Sequence, residues 1–436
     1  MGGSNTPGAP GTYGTQNTPS TSNVPGARQG AVSWTDRSGN FWLFGGMVVN
    51  ISTGTQGYLN DLWEFNPTAK TWMWVGGSST VNTPVGVYGT LGVPSTTNIP
   101  GSRMGSVSWT DSSGNLWLFG GGGYGAIGNG ALNDLWEFNP TTKQWTWVSG
   151  SSTVDAQGIY GTLGTAAPSN VPGGRQNSVS WTDSSGNFWL FGGYGFDSTA
   201  GTYGWLNDLW VFNPATKEWT WMGGSSTLPS MFGGQSGVYG TLGVAAAGNV
   251  PGGRNASVSW TDSSGNFWLF GGSGFDSTDA GGWLNDLWEF NPTTKEWMWV
   301  GGSSVAANAM AVYGTEGTAS PNNVPGGRNA SVSWTDSSGS FWLFGGCGDN
   351  STGTQGALND LWEFNPTTKQ WTWMSGSSTA NATGVYGTMG VAAATNIPEA
   401  QSGFASWIDS SGNLWLFGGG GDSGFGNLND LWRYQP

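Results

Sequence analysis

The chain has 436 residues, of which 79 are glycine and 30 are tryptophan, and only 9% of its residues are charged. Acidic residues outnumber basic ones by 26 to 12, and the resulting net charge of −14 disfavours binding to nucleic acid or anionic membrane surfaces. Histidine is absent and Cys347 is the only cysteine, which excludes an intrachain disulfide and the usual zinc and copper ligands. No apolar run reaches the length of a transmembrane helix and no signal-peptide pattern is present, so we expect no membrane insertion.

One motif, W-L-F-G-G, recurs along the whole chain. Successive copies lie 75, 72, 79, 74 and 73 residues apart. Repeats of this length indicate a closed array in which every unit buries its faces against its neighbours. The tryptophans of the motif are Trp42, Trp117, Trp189, Trp268, Trp342 and Trp415.

The first repeat contains four strand-like runs, at 31–35, 41–44, 62–65 and 71–75, all short and rich in aromatic or β-branched residues. Glycine in the first connection and Asn-Pro in the last one are typical of the turns that join antiparallel strands. Radial repetition of a four-stranded antiparallel unit is typical of a propeller. We therefore predict an all-β, six-bladed β-propeller without a helix of useful length.

The predicted propeller is a single domain over residues 1–436, in which residues 1–27 form a lead-in connection. The later repeats follow the first one in chain order. We expect the blades at residues 28–76, 103–149, 175–223, 254–301, 328–375 and 401–436.

Each repeat combines a Gly-Gly pair after the second strand with a tryptophan in the third and fourth strands and an arginine that opens the next repeat. In this combination, represented by Gly45, Gly46, Trp63, Trp72 and Arg103, the chain resembles the kelch-repeat family over its whole length. The resemblance implies a propeller fold with four-stranded blades. The units are longer than ordinary kelch units, which have about 50 residues.

The extra length follows the fourth strand, where 28 residues separate Trp74 from Arg103 in the first repeat. Comparable segments occur throughout the chain, and each carries one tyrosine. We expect these segments to form packed additions between blades. The tyrosines are Tyr13, Tyr88, Tyr160, Tyr239, Tyr313 and Tyr386.

An arginine opens the first strand in five of the repeats, and a glutamine replaces it in the sixth. By the resemblance, this strand is the innermost one, so the side chains would ring one end of the central channel. They would form an anion-binding ring or, as the favoured alternative, pair with the repeated aspartates of the N-D-L-W motif. The ring residues are Arg28, Arg103, Arg175, Arg254, Arg328 and Gln401.

The connections between second and third strands share one face and differ between repeats, whereas the turns of the opposite face repeat Asp and Lys. Variable connections on a rigid scaffold are the usual place for recognition. Their aromatic residues would stack on sugar rings, contact a protein partner or pack onto their own blades. These residues are Tyr194, Phe196, Tyr203, Trp205, Phe275, Trp283 and Phe425.

The sequence favours a protein without enzymatic activity or cofactor. Some kelch-like proteins are copper oxidases or sugar epimerases, but copper oxidation in that fold needs histidine ligands, and this chain has none. No carboxylate or arginine departs from its repeat as an active-site group would, although Lys and Tyr remain available as acid or base groups. Sequons at Asn50, Asn255, Asn329, Asn350 and Asn381 are compatible with an extracellular or cell-surface location.

Calcium is the one cofactor that stays open, because the variable connections contain carboxylates, which calcium prefers as ligands. No D-x-D-x-D-G loop accompanies them, so ordinary solvation is the favoured alternative. The carboxylates are Asp197, Asp276, Asp279, Asp349 and Asp422.

The sixth repeat stops at the end of its third strand, while residues 1–4 align with 222–225, which follow a fourth strand. We therefore expect an open edge with unpaired backbone groups. Three explanations stay open: a shortened chain, a blade of three strands, or a strand supplied by another subunit. The expected assembly edge comprises Asp430, Leu431, Trp432, Arg433, Tyr434, Met1, Gly2 and Gly3.

Together these patterns predict an extracellular structural propeller that associates with copies of itself. A module that binds glycans or another surface protein through the variable face is the alternative. A calcium-dependent or carbohydrate-modifying enzyme is a weaker third hypothesis.

Overall fold

The computed structural model describes residues 1–50, 55–81, 85–305, 308–421 and 426–436. Within these ranges the secondary structure consists of strands, and no helix is long and apolar enough to cross a membrane. Six antiparallel sheets follow one another along the chain, five with an outer fourth strand and the last with three strands. The predicted all-β, six-bladed propeller with an incomplete last blade is therefore confirmed.

The first blade follows the sequence prediction to within one residue at each strand end. Its strands are β1 (Val32–Thr35), β2 (Phe41–Phe44), β3 (Met47–Asn50), β4 (Thr55–Tyr58), β5 (Leu62–Asn66) and β6 (Thr71–Gly76). The sheet order is β1-β2-β5-β6, from the channel to the outside, and β3 pairs with β4 as a separate hairpin.

The second to fifth blades share one plan, in which the innermost strand is split into two short pieces that both pair with the second strand. Blade 2 contains β7 (Arg103–Met104), β8 (Val107–Thr110), β9 (Leu116–Tyr124), β10 (Asn129–Asn139) and β11 (Gln144–Ser149). Blade 3 contains β12 (Arg175–Gln176), β13 (Val179–Thr182), β14 (Phe188–Phe196), β15 (Tyr203–Asn213) and β16 (Glu218–Gly223). Blade 4 contains β17 (Arg254–Asn255), β18 (Val258–Thr261), β19 (Phe267–Phe275), β20 (Gly281–Asn291) and β21 (Glu296–Gly301). Blade 5 contains β22 (Arg328–Asn329), β23 (Val332–Thr335), β24 (Phe341–Asp349), β25 (Gln355–Asn365) and β26 (Gln370–Ser375).

The sixth blade has only three strands in its main sheet. Its strands are β27 (Ala405–Ile408), β28 (Leu414–Phe417), β29 (Gly420–Gly421), β30 (Gly426–Asn427) and β31 (Leu431–Tyr434). The sheet order is β27-β28-β31, and β29 pairs with β30 beside it.

The second and third strands of blades 2–5 are longer than the sequence analysis expected, because they continue past the Gly-Gly pair. In blade 3 the register between β14 and β15 shifts between Phe191 and Gly193. Gly192 and Gly193 have φ values of +63° and +102°, and a Cβ at Gly192 would lie 2.7 Å from the Arg254 carbonyl oxygen. Glycine thus permits a bulge through which the hairpin continues.

The hydrophobic core lies between neighbouring blades and contains most of the strand tryptophans. Trp109 of blade 2, for example, stacks on Phe188 of blade 3 with ring centroids 5.2 Å apart. Indole Nε1 groups of the innermost strands also donate to backbone oxygens of the next blade at 2.9–3.1 Å, and we call these bonds the indole belt. The donors are Trp34, Trp109, Trp181, Trp260 and Trp407.

The long additions between repeats lie along the outer edges of the blades. In blade 1, Ser20 forms a bridge with Trp72 of β6, and the backbone N–H of Asn17 donates to the Trp74 oxygen at 2.8 Å. Equivalent bridges cover the outer strands of blades 2–5. We call these additions the edge segments, and they comprise residues 12–24, 87–99, 159–171, 238–250, 312–324 and 385–397.

Candidate functional site

A buried ion pair stands at the same place in each of the first five blades. In blade 5, Arg328 donates from Nη1 and Nη2 to the two carboxylate oxygens of Asp360 at 2.7 and 2.8 Å. Tyr313 and Trp362 donate to the same carboxylate at 2.7 and 2.8 Å. Burial alone would raise the pKa of Asp360, but the charge and hydrogen bonds of Arg328 lower it.

The arginines therefore do not form an exposed anion-binding ring, and the favoured alternative of Arg–Asp pairing is confirmed. All five guanidinium groups are buried in pairs whose shortest N–O distance is 2.7 Å. A cavity of about 350 Å³ in the central channel is instead lined by Ser, Thr and Trp side chains of the innermost strands, together with Ile408. The pairs are Arg28–Asp61, Arg103–Asp134, Arg175–Asp208, Arg254–Asp286 and Arg328–Asp360.

The sixth blade keeps the carboxylate but lacks its arginine. Asp430 Oδ2 accepts hydrogen bonds from Trp432 Nε1 at 2.6 Å and from the Tyr386 hydroxyl at 2.9 Å. Asp430 Oδ1 and Gln401 Oε1 are buried without a hydrogen-bond partner within the described part of the chain. Burial raises the pKa of Asp430 to about 6, and the hydrogen bonds from Trp432 and Tyr386 offset this only in part.

The outer edge of β31 is the part of the predicted assembly edge that remains open. Its inner side pairs with β28 from Leu431 to Tyr434. On the outer side the Leu431 N–H donates to the Gly2 oxygen at 2.9 Å, and the Met1 amino group donates to the Leu431 oxygen at 2.7 Å. Beyond Leu431 the described residues place no strand on this side.

The Met1–Gly3 turn follows the path of a fourth-strand end. Gly3 has φ +75°, and a Cβ there would clash with the Asn429 oxygen, as a Cβ at Gly376 would clash with the Asn359 oxygen. Ser4 N donates to Asn429 Oδ1 at 2.9 Å. Met1 and Gly2 thus occupy the positions that Met374 and Ser375 hold in blade 5.

The sixth edge segment faces β31 across the position of a fourth strand. In blades 1–5 an asparagine of this segment donates from Nδ2 to the first tryptophan oxygen of the fourth strand at 3.0–3.1 Å. Among the described residues, its counterpart Asn396 donates from Nδ2 to Val391 of its own segment, at 3.0 Å, and to no tryptophan oxygen. Gly317 N donates to the Trp373 oxygen at 2.8 Å, whereas its counterpart Gly390 has no backbone acceptor among the described residues.

These two unpaired edges define a site that we call the sixth-blade slot. One wall is the outer edge of Trp432–Tyr434, and the other is the inner edge of residues 386–396. Tyr386 packs on Trp432 with ring centroids 5.0 Å apart, as Tyr313 packs on Trp362. Tyr313 has a second, T-shaped contact with Trp373 at 5.1 Å, for which Tyr386 has no counterpart among the described aromatic pairs.

The predicted recognition residues of blades 3 and 4 form an aromatic cluster, although they lie on extended strands rather than in loops. Tyr194 contacts Tyr203 and Trp205 at centroid distances of 4.4 and 4.7 Å. Phe196 contacts Tyr203 at 4.8 Å, and Phe275 contacts Trp205 at 5.7 Å. All five side chains are half-buried, and their contacts with one another bury part of their apolar surface.

Among the described aromatic contacts, Trp283 has none with this cluster. Trp283 lies on β20, where its backbone exchanges hydrogen bonds with Asn308. Phe425 lies outside the described residues. The segment between blades 3 and 4 adds Met231 and Phe232, which are 58% and 57% exposed, and sequence reasoning missed both.

The calcium candidates in the described ranges accept hydrogen bonds from nearby groups, including Ser236 on Asp279 and Gln355 on Asp349. Asp197 accepts from the backbone N–H of Thr199 and Leu228, and Asp276 accepts from Thr278. In the described ranges no three His, Cys, Asp or Glu side chains come together as a metal site would require. Asp422 lies outside these ranges.

Comparison with known proteins agrees with the six-bladed β-propeller fold. No family model and no curated protein matches the chain. A solved structure titled "Structure of YjhT" matches over 97% of this chain and 99% of its own, with a TM-score of 0.53 and 14% identity. At this identity the likeness shows the fold alone, so membership of the kelch-repeat family stays a prediction.

Proposed function

We propose that this chain is a non-enzymatic, extracellular structural propeller that associates with copies of itself by strand addition at the sixth-blade slot. The observation that carries the proposal is the pair of unpaired backbone edges on both sides of the slot. Unpaired strand edges promote association between chains, and pairing of a donated strand is an established recognition mode. The assembly would form a surface layer or a filament.

The geometry of such an assembly follows from the position of the slot. The acceptor is one edge of one blade, so the donating part of a neighbouring copy is a different surface. A contact of this kind is head-to-tail and need not close into a ring, which permits a filament. With a net charge of −14, neighbouring copies repel one another, and assembly should therefore strengthen as salt is added.

Sedimentation velocity and electron microscopy over a range of protein and salt concentrations test the proposal. We expect a concentration-dependent polymer, and a peptide copied from residues 369–374 should suppress its growth. A chain that stays monomeric under all these conditions would overturn the proposal.

A substitution at Arg433 makes this test specific to the slot. Successive residues of a strand direct their backbone groups to opposite sides, and Leu431 bonds outward to Gly2, so Arg433 also faces outward. Arg433→Pro removes the outward N–H but spares the bonds to β28, and proline is tolerated on strand edges. This variant should lose polymer formation, whereas Arg433→Ala should retain it.

A second candidate function is binding of glycans or a protein partner through the aromatic cluster. The specific observation is that Tyr194, Tyr203 and Trp205 form one half-buried aromatic surface, which suits stacking on sugar rings. A glycan array with monomeric protein tests this candidate. Selective binding that is lost in Tyr203→Ala/Trp205→Ala but kept in Trp283→Ala would support it, and an array without selective binding would count against it.

A further inference from the structure

We propose that the sixth blade binds a calcium ion at the position that an arginine guanidinium fills in the other five blades. The ligands are the Asp430 carboxylate, the Gln401 amide oxygen and the backbone oxygens of Gly418 and Glu399. This site uses none of the loop carboxylates that the sequence analysis singled out for calcium, and it does not rest on self-association.

The complete blades show which atoms surround this position. In blade 5, Arg328 Nη1 donates to Asp360 Oδ1 at 2.7 Å and to the Gly345 oxygen at 3.2 Å. Arg328 Nε donates to the Gly326 oxygen at 3.1 Å. The other four arginines form the same set of bonds. These acceptors belong to the start of the first strand, the Gly-Gly bulge of the second strand and the third strand, all of which the sixth blade has.

The sixth blade keeps the backbone frame of this position. Gly418 N donates to the Asp430 oxygen at 3.1 Å, the distance of the equivalent bond in blade 1. Gly418 and Gly419 have φ values of +70° and +108°, close to the +62° and +95° of the pair in blade 5. Gln401 N donates to the Leu358 oxygen at 3.2 Å, and the arginines of blades 1 and 2 form the equivalent bond at 3.0 Å. The acceptor atoms are therefore in place although the arginine is absent.

The oxygen atoms of this frame lack donors in the described part of the chain. Asp430 Oδ1, the counterpart of the atom that bonds to arginine Nη1, is buried without a partner, and so is Gln401 Oε1. Gln401 Oε1 lies beside the bulge, because a Cβ built at Gly419 would be 2.6 Å from it. In blades 2–5 a serine hydroxyl also donates to the first bulge oxygen at 2.7–2.8 Å, but Phe404 holds the serine position in the sixth blade. A cation would satisfy these acceptors together.

Charge and ligand type favour calcium over a water molecule. The described ion pairs of the chain do not include Asp430, and the charge of Glu399 lies close enough to raise the pKa of Asp430 further. A buried carboxylate is costly unless it is paired or coordinates a metal. Calcium prefers carboxylate and carbonyl oxygens at about 2.3–2.6 Å, so a bare ion needs less room than a hydrogen-bonded water. Two neighbouring carboxylates also match the charge of a divalent ion.

Thermal unfolding of the chelator-treated full chain with added CaCl2 tests the proposal. At pH 7.5 we expect the melting temperature to rise saturably over about 0.1 to 10 mM calcium, the range of weak extracellular sites. Calorimetric titration should give about one ion per chain. MgCl2 should have a smaller effect, because magnesium demands near-octahedral geometry and keeps its waters. NaCl at equal ionic strength controls for screening of the net charge of −14.

Variants of the chain locate the ion. Gln401→Arg fills the position with a guanidinium, so it should abolish the calcium response while the chain stays folded. Asp430→Asn removes the central charge and should weaken binding at least about 10-fold. Glu399→Gln should weaken binding about 2- to 5-fold, because it removes a neighbouring charge. Asp279→Asn, the matched control in a variable loop, should leave the calcium response unchanged.

The possible results separate this inference from the proposed self-association. A calcium response that disappears in Gln401→Arg and persists in Asp279→Asn supports the site. A melting temperature that calcium raises no more than NaCl does, or equal calcium binding by Gln401→Arg, would overturn it. A strictly monomeric chain with the calcium response would overturn self-association alone, and a polymer-forming chain without the response would overturn the calcium site alone.

Discussion

The fifth and sixth blades have the same inner strands but differ in how their buried aspartate is compensated. Asp360 accepts two bonds from Arg328 and one each from Tyr313 and Trp362. Asp430 keeps the tyrosine and tryptophan bonds but has Gln401 in place of the arginine. In the described residues the main sheet of this blade has three strands, whereas that of blade 5 has an outer fourth strand.

This comparison shows what the ion pair does in a complete blade. Arg328 also donates from Nε to the Gly326 oxygen at 3.1 Å and from Nη1 to the Gly345 oxygen at 3.2 Å. It thus connects the start of the innermost strand with the Gly-Gly bulge of the second strand and the aspartate at the bend of the third. The described residues of the sixth blade do not form these arginine bonds, and Asp430 keeps only the bonds from Tyr386 and Trp432.

The largest expected difference between the two blades concerns the aspartates themselves. Asp360→Ala leaves Arg328 buried without a partner and should lower the free energy of unfolding by about 3 to 5 kcal/mol. Asp430→Ala removes an uncompensated carboxylate and should change it by less than about 1 kcal/mol. Urea denaturation at pH 7.5 measures both, and equal losses would show that the two aspartates have equivalent roles.

Acid should stabilise the sixth blade through Asp430. Its folded pKa of about 6 lies above the unfolded value of about 3.9, so the folded state binds the proton more tightly. This contribution is greatest below the unfolded pKa and is lost as the pH rises through 6. Relative to Asp430→Asn, the chain should lose about 2 kcal/mol of unfolding free energy between pH 4.5 and 7.5. A constant difference between the two proteins across this range would contradict the raised pKa.

Gln401→Arg should give the sixth blade the ion pair of the other five. The guanidinium would reach Asp430 and lower the pKa of that carboxyl, so the acid stabilisation should disappear. We expect a gain of about 1 to 2 kcal/mol at pH 7.5 in thermal or chemical unfolding, from charge-assisted hydrogen bonds. Gln401→Lys is the control, because it adds the charge without the bidentate geometry and should gain less.

The smallest expected difference concerns the asparagines of the edge segments. Asn323 Nδ2 donates to the Thr318 and Trp371 oxygens at 2.9 and 3.1 Å, so Asn323→Ala should cost about 1 to 2 kcal/mol. Asn396→Ala should cost less than about 0.5 kcal/mol, because the exposed counterpart bond stays within its own segment. Matched melting curves would decide this, and equal costs would place a bonding partner beside Asn396.

The repeat pattern in the sequence was sufficient to predict the fold and the strands of the first blade. Spacing of W-L-F-G-G gave the number of blades, and the run after Asn66 gave the outer strand. Two features depended on contacts that periodicity does not encode. The second and third strands continue past the Gly-Gly pair, which the sequence pattern places at the end of a strand. The edge segments cover the outer strand of the blade that follows them in the chain.

The sixth-blade slot was only half visible in the sequence. The missing fourth strand predicted one open edge, on β31. The second wall depends on Asn396 and Gly390, whose partners in other blades are backbone oxygens about 50 residues away and carry no sequence signature of their own. The sequence shows Gln401 in place of the arginine. The raised pKa of Asp430 could not be predicted from it, because that shift depends on the burial of the aspartate in the folded chain.

The indole belt has a consequence for how the ring responds to force. Each of its five donors bonds to the next blade. The equivalent Nε1 group of blade 5, that of Trp334, is buried without an acceptor in the described structure. Leu414 stands where most blades present a phenylalanine ring, and Trp334 stacks on Trp342 of its own blade instead. The contact between blades 5 and 6 therefore lacks the indole hydrogen bond that joins the other neighbouring blades. Under tension the propeller should open first at this contact. A strand bound in the sixth-blade slot would touch both blades and should strengthen the contact.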